Sequence, residues 1–320
     1  MTSRTVLRWP QALLALPLLF GIALARAEYP EREVALIVNY GAGGNTDVTA
    51  RVLAKGMQKH LGKPIIVINK AGAEGTLGPA FLATQKPDGY TFGVVTYSTI
   101  AIQPFLRDLP YTIKDFEFVA GYGRFRYGVV VRADSPYKTL DDLVKAGKVG
   151  PGIFFGAPSA PNNLALFELG RKTGGKFEQA SYKSGSETVT ALLGGQVEVI
   201  VQNPSDVLAQ IQSGKLRLLA SASPVRWREF PNVPTMKEAG YDVEIDSWLG
   251  IAVPKGTPRP IVEKLQEAVL AALKDAEVLE RITLAGVDAE ALTGMQYEKL
   301  LILGAETMGR ALRASGLAKP

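Results

Sequence analysis

The segment Val34 to Arg51, VALIVNYGAGGNTDVTAR, constrains the fold more than any other stretch. It opens on Val34-Ala35-Leu36-Ile37-Val38, a short run rich in β-branched residues that suits a strand buried on both faces. Gly41, Gly43 and Gly44 end the run. Asn45, Thr46 and Asp47 follow, each able to cap a helix. Val48, Val52, Leu53, Met57 and Leu61 then recur at helical spacing. The segment reads as strand, glycine loop, helix. Glycines let the loop turn its N–H groups outward, and the first turn of a helix holds donors with no partner inside that helix. The helix dipole adds about half a positive charge there. A carboxylate or phosphate can sit on such a loop without a basic side chain, although the same loop also serves as a plain tight turn. It is neither standard nucleotide motif: GxxxxGK[ST] is absent, and Gly41 to Thr46 lacks the third glycine of GxGxxG.

The layout recurs. Ile65 to Ile68 is a second apolar run, followed by the glycine-bearing bend Asn69 to Gly75 and a helical stretch through Ala80, Phe81 and Ala83. Pro87-Asp88-Gly89 is a turn, and Thr91 to Val95 is a third strand ending in the polar cluster Thr96-Tyr97-Ser98-Thr99. Repeated strand and helix predict an α/β fold with a mostly parallel sheet flanked by helices. Ligands of such sheets bind outside the carboxyl ends of the strands, where the loops at 40–47, 70–76 and 96–99 emerge.

Phe116 to Val131 is a long extended segment broken by Gly121, Gly123 and Gly128, suited to crossing between domains. Beyond it the pattern repeats. A helix starts within Tyr137 to Leu143. The strand Ile153-Phe154-Phe155 leads through the loop at 156–163 to a helix over 164–171. The loop at 181–186 leads to a helix over 187–193. Val197 to Val201 is a strand ending at Gln202 to Asp206, and Leu216 to Ser221 is another. Trp248 to Pro254 runs back as a strand. Thr257-Pro258 predicts an N-cap and N1 proline, with Ile261, Leu265, Val269 and Leu273 as the buried stripe, and the tail over 277–316 is mostly helical. The expectation is a two-lobed α/β fold with a ligand cleft between lobes and two crossing strands. Domain 1 takes 28–125 and 248–320, and domain 2 takes 126–247. Such clefts suit capture by closure.

The N-terminus reads as an export signal. Arg4 and Arg8 precede the apolar stretch Ala12 to Ala25, and Ala25-Arg26-Ala27 is a small-x-small cleavage site. The core is short and interrupted by Pro17, which argues against a membrane anchor. Residues 1–27 are therefore expected to be removed, leaving an exported, soluble mature protein that starts near Glu28. Three of the net charges of +5 belong to Arg4, Arg8 and Arg26. The remaining chain is near neutral and shows no basic stripe, so no nucleic-acid partner is expected. There are no cysteines and one histidine, which excludes thiolate chemistry and makes a zinc site atypical. No metal or cofactor is expected.

The residues now carry a resemblance. YPEREVALIVNYGAGGNTDVTARVLA, VINKAGAEGTLG, KPDGYTFG, VPTMKEAGY and SWLGIAVPKGTP, in this order, resemble the Bug family of extracytoplasmic receptors of tripartite tricarboxylate transporters. The resemblance covers essentially the whole mature chain. It implies a monomeric, non-catalytic periplasmic receptor that captures a small organic carboxylate and delivers it to membrane permease subunits. The alternative is a sensor subunit presenting its solute to a signalling kinase. It also implies that the ligand carboxylate meets the first loop, Tyr40, Gly43, Gly44, Asn45, Thr46 and Asp47. Ser98 and Thr99 match a second contacting loop, and Ser159, Asn162 and Asn163 match the loop facing them. Tyr182, Ser184 and Gly185, then Asn203 and Asp206, match further cleft segments, and Trp248 matches the aromatic residue of the returning strand. Three features depart from the family pattern: Asn39 where proline is usual, Asn163 where histidine is frequent, and two prolines in the loop at 156–163.

Several of these residues admit plainer roles. Asp47 suits the first turn of a helix as an acid favoured by the dipole. Asp206 caps a helix or meets a ligand donor. Trp248 packs in a core or against an aromatic ligand. Arg124 and Arg126 pair with acids or clamp a carboxylate. His60, at the end of the first helix, is a surface or packing residue. Ser135 to Lys138 spells SxxK and Lys172 to Gly174 spells KTG, but the SDN element of the corresponding hydrolases is missing.

Overall fold

In the computed structural model, residues 29–314 and 318–319 are described. The export signal expected over 1–27 lies outside them. Strand β1 (Val34–Val38) is almost wholly buried, as its apolar run requires. Helix α1 (Asn45–Leu61) lays Leu53, Met57 and Leu61 into the core. Strand β2 (Ile65–Asn69), helix α2 (Leu77–Ala83) and strand β3 (Thr91–Thr96) complete two strand-helix-strand units. Both β2 and β3 pair in parallel with β1. The polar cluster after β3 is not a loop. Ser98–Ile102 forms a π-helical turn running into α3 (Gln103–Leu106), with Thr99 hydrogen-bonded back to Thr96.

Strand β4 (Phe116–Phe125) then belongs to the first sheet and β5 (Gly128–Arg132) to the second. The second lobe follows with α4 (Leu140–Lys148), β6 (Ile153–Ala157), α5 (Ala160–Thr173), β7 (Phe177–Ser181), α6 (Gly185–Leu193), β8 (Val199–Gln202), α7 (Pro204–Gln212) and β9 (Leu216–Ser221). The chain returns through β10 (Trp248–Pro254), α8 (Arg259–Ala272), α9 (Ala276–Leu284), the short strands β11 (Val287–Asp288) and β12 (Leu292–Thr293), and α10 (Gly294–Ala314).

The first sheet has the order β11-β4-β10-β3-β1-β2, with β12 also on β4, and the second has β7-β6-β8-β5-β9. The repeating strand-helix units supply the parallel part of each sheet. The crossing and returning strands enter antiparallel: β10 against β3 and β4, and β5 against β8 and β9. Both sheets are therefore mixed.

Local boundaries differ from the sequence expectation at several places. α5 begins at Ala160, because Pro161 is a favourable first-turn residue and Ser159 supplies an extended N-cap. α8 begins at Arg259 with Pro258 as the N-cap; Thr257 instead donates its hydroxyl to Pro254 O. β7 has almost no apolar periodicity, since it is the sheet edge with one buried hydrophobe, Phe177.

The crossing itself is braced. Phe125 N–H donates to Ser247 O, Arg126 N–H to Gly286 O, and Tyr127 N–H to Ser223 Oγ. The Arg126 side chain is 1% exposed and pairs with Glu229 at 2.8 Å while donating to Thr283 O. Arg124 pairs with Asp246 and stacks over Trp248.

Behind the first sheet, Gly250 of β10 lies under Tyr297 of α10. A Cβ at Gly250 would sit 2.0 Å from the ring. Gly250→Ala is expected to destabilise the protein by roughly 1–3 kcal/mol, the usual cost of overpacking a core. Thermal unfolding of the variant, with a midpoint lowered by several degrees, checks this.

Candidate functional site

Four helices begin on one cavity. The N-cap and first residue of α1 (Gly44 and Asn45), the N-cap of α5 (Ser159), those of α6 (Ser184 and Gly185) and the N-cap of α7 (Asn203) all line it. The first comes from one lobe and the other three from the second. Each of these helices follows a strand, β1, β6, β7 and β8, so the cavity lies at the carboxyl ends of both sheets' parallel strands. Each helix start presents backbone donors and about half a positive charge. None of the described residues that line the cavity is Lys, Arg or His. The positive character of the site therefore resides in the backbone. The cavity volume is ≈ 30 Å³, because the lobes lie close: a Cβ at Gly41 would stand 3.1 Å from Ser184 Cβ, and one at Gly44 3.8 Å from the Gly185 nitrogen.

The start of α1 is kept open by the way its polar residues are used. No side chain caps the helix. Asp47 turns away from the cavity and accepts from Gly43 N–H at 3.0 Å, from Asn69 Nδ2 at 2.8 Å and from Arg51 at 3.0 Å. These partners hold its carboxyl below the usual range despite burial. Gly43 is in the left-handed region at φ +81°, the turn that lets its N–H reach Asp47. Asn45 sends its Nδ2 to Ala285 O, which fixes the amide and leaves Oδ1 without a protein donor.

The second lobe's amides brace its loops in the same manner. Asn162 donates to Val201 O and accepts from Ser159 Oγ. Asn203 donates to Arg126 O at 2.6 Å, tying α7 to the crossing segment. Ser184 caps α6, accepting from Glu187 N–H. Tyr40 faces Ser98, Ser159 and Thr96 across the cavity, and burial pushes its pKa up to about 12.

Of the residues singled out in sequence, the cavity wall includes Tyr40, Gly44, Asn45, Thr46, Ser98, Ser159, Asn162, Ser184, Gly185, Asn203 and Asp206. It does not include Gly43 and Asp47, which shape the first loop, or Thr99, which locks the turn after β3. Asn163 is buried in α5 beside the wall. Tyr182 packs over Gly156. Trp248 is 4% exposed within a core cluster that includes Val95 and Tyr297. Arg124 and Arg126 are committed to their acids. Ser135 Oγ accepts from Tyr137 N–H, and Lys172 pairs with Asp242, so the SxxK and KTG strings are structural. His60 is exposed.

The wall also holds six residues that sequence reasoning missed: Thr96, Phe125, Tyr127, Pro158, Gln202 and Ser247. Strand alternation contained the signal for two of them. Phe125 and Tyr127 flank Arg126 and share the face opposite to it. Gln202, fully buried at the end of β8, has neither end of its amide hydrogen-bonded to protein.

Asp206 is the one acid on the wall. It sits in the first turn of α7, packed so tightly on Gly185 that a Cβ there would lie 2.2 Å from its Oδ2. The Asn45 N–H favours its charged form, but desolvation dominates and pushes its pKa up to about 7. Its Oδ1 is buried and has no protein donor.

The fold and this cavity define a two-lobed binding protein. Residues 49–317 match the family model of the tripartite tricarboxylate transporter family receptor. The protein BugT of Bordetella pertussis is 35% identical over 81% of this chain and 81% of its own. Among solved structures, periplasmic binding protein BugD superposes with a TM-score of 0.86 at 29% identity, covering 91% of this chain and 100% of that one. MatC from Rhodopseudomonas palustris, solved with bound malate, gives 0.81 at 28% identity, covering 88% and 99%. The chain belongs to the tripartite tricarboxylate transporter receptor family, whose members are solute-binding receptors and not enzymes.

The burial of Asp206 makes stability depend on pH. An acid whose pKa is raised on folding holds its proton more tightly in the folded state. The stability it contributes is complete below its unfolded value near 3.8 and is lost as pH climbs to about 7. Asp206→Asn removes this loss. In stripped protein, the stability of the variant relative to wild type should rise by about 2–3 kcal/mol between pH 5 and pH 8. Denaturant unfolding at the two pH values checks it; a constant difference overturns it.

Proposed function

We propose that this protein is a periplasmic receptor that captures a small organic carboxylate and presents it to the membrane permease subunits of a tripartite transporter. One observation carries the reading: four helix N-termini from two lobes open on one cavity without a formal cation on its wall. A buried carboxylate needs several donors to offset its desolvation, and backbone N–H groups at helix starts supply them. The malate in the related MatC structure supports a carboxylate as the ligand class. The family membership supports a permease as the partner, and the periplasmic relatives support the compartment.

In this reading the solute docks on the first lobe, domain 1 over 28–125 and 248–320, through Tyr40, Gly44, Asn45, Thr46 and Ser98. Closure brings up domain 2, 126–247, with Ser159, Asn162, Ser184, Gly185, Asn203 and Asp206. The paths between the lobes, Phe125 to Gly128 and 222–247, are the segments that bend. The closed form is what the permease subunits meet.

A thermal-shift series on protein unfolded and refolded to strip carried solute tests the reading. A carboxylate at about a hundred times its dissociation constant adds about 2.7 kcal/mol, a shift of a few degrees for a chain of this size. Gly44→Asp places a carboxylate where a Cβ meets only ordinary contacts, so the fold tolerates it. Its charge opposes the ligand's, and the shift should vanish. An unchanged shift in Gly44→Asp overturns the first-loop model.

A further inference from the structure

Five buried side-chain oxygens on the cavity wall have no hydrogen-bond partner in the protein; Ser98 Oγ and Ser247 Oγ are hydroxyls that can donate as well as accept, which leaves three that serve as acceptors alone, Asn45 Oδ1, Gln202 Oε1 and the carboxylate Oδ1 of Asp206. They come from three different elements, the first turn of α1, the end of β8 and the first turn of α7. The Asn45 oxygen is an acceptor by necessity, because its amide nitrogen is committed to Ala285 O. Asp206 is the one carboxyl group on the wall, and no described Lys or Arg lines the cavity to pair with its ionised form. A second negative charge beside Asp206 would meet repulsion, and a bare apolar group would leave three acceptors unpaired at a cost in affinity. The same wall also offers donors: the first turn of α1 beyond the Asn45 N–H, which faces Asp206, and the Gln202 Nε2, itself unpartnered. An occupant that satisfies both sets has an anionic acceptor at one point and a multivalent cationic donor close by.

Resting on the receptor reading above, we infer that Asp206 selects the ligand, and that the ligand is an amino carboxylate whose ammonium group meets Asp206, Gln202 and Asn45. An ammonium carries three N–H groups, one for each of the three oxygens. Its charge neutralises Asp206 inside the closed cleft, so that a single carboxylate is left for the helix starts. A site with a buried acceptor set of this kind rejects an analogue lacking the donor far more strongly than it rejects a change in apolar bulk.

The experiment uses matched pairs on stripped mature protein: glycine and acetate, alanine and propionate, aspartate and succinate, glutamate and glutarate, phenylalanine and 3-phenylpropionate. Thermal shift identifies the binding pair, and isothermal titration gives both affinities. The expected result is at least a hundredfold preference for the amino member, falling at least tenfold in Asp206→Asn through weaker binding of that member alone. The wild-type comparison stands even if the variant misfolds. A desamino acid that binds as well as its amino partner, or better, overturns the inference and leaves the carboxylate receptor intact. Absence of any shift with both members of every pair, together with a panel of malate, citrate, adipate and nicotinate, overturns both.

Discussion

The N–H groups of a helix's first turn cannot be satisfied inside that helix, and this constraint organises the molecule around its cavity. An N-cap side chain supplies the missing acceptor at α4, α6 and α9. At α1 none does: Asn45 is drawn to Ala285 O, and Asp47 is drawn to Asn69, Arg51 and the Gly43 N–H. The surrounding contacts keep these local acceptors occupied elsewhere. Apart from the Asn45 N–H, which faces the Asp206 carboxylate, the donors stay available because the capping residues have been given other work. In α5, α6 and α7 the N-cap residues also lie on the wall, and Asn203 is tied to the crossing strand. Donors from two sheets thereby meet in one small volume.

This arrangement explains which parts of the molecule were legible in the sequence. The strand, glycine loop and helix at 34–61 are written in local terms, an apolar run followed by glycines and a 3.6-residue stripe, and they stand where expected. The second lobe's strand-to-helix loops repeat that grammar. What local patterns do not contain is the destination of a polar side chain. Asn45 finds its partner 240 residues away. Trp248 and Gly250 stand two residues apart in β10 and serve one core that includes Tyr297, the first by filling it with its ring and the second by making way for Tyr297. Gln202 reads as the unremarkable end of a strand until burial leaves its amide without partners.

The segments between the lobes show a second division of labour. Phe125 and Tyr127 present their rings to the cavity while Arg126, between them, points into an ion pair with Glu229. One short extended stretch thereby contributes both to the wall and to the joint. Alternation along a strand makes this possible, since neighbouring side chains face opposite ways. A change in the joint is felt at the wall through three consecutive residues rather than through a long path.

The absence of Lys and Arg from the described wall has a bearing on the surroundings in which the protein operates. Exposed point charges attract ions at a distance and lose much of that pull as electrolyte rises, over a screening length of about 8 Å at physiological ionic strength. Oriented amides enclosed within protein act only at contact and are screened far less. A receptor that relies on them gives up long-range attraction, but the hold of its site on an anion is little affected by a change in the salt around it.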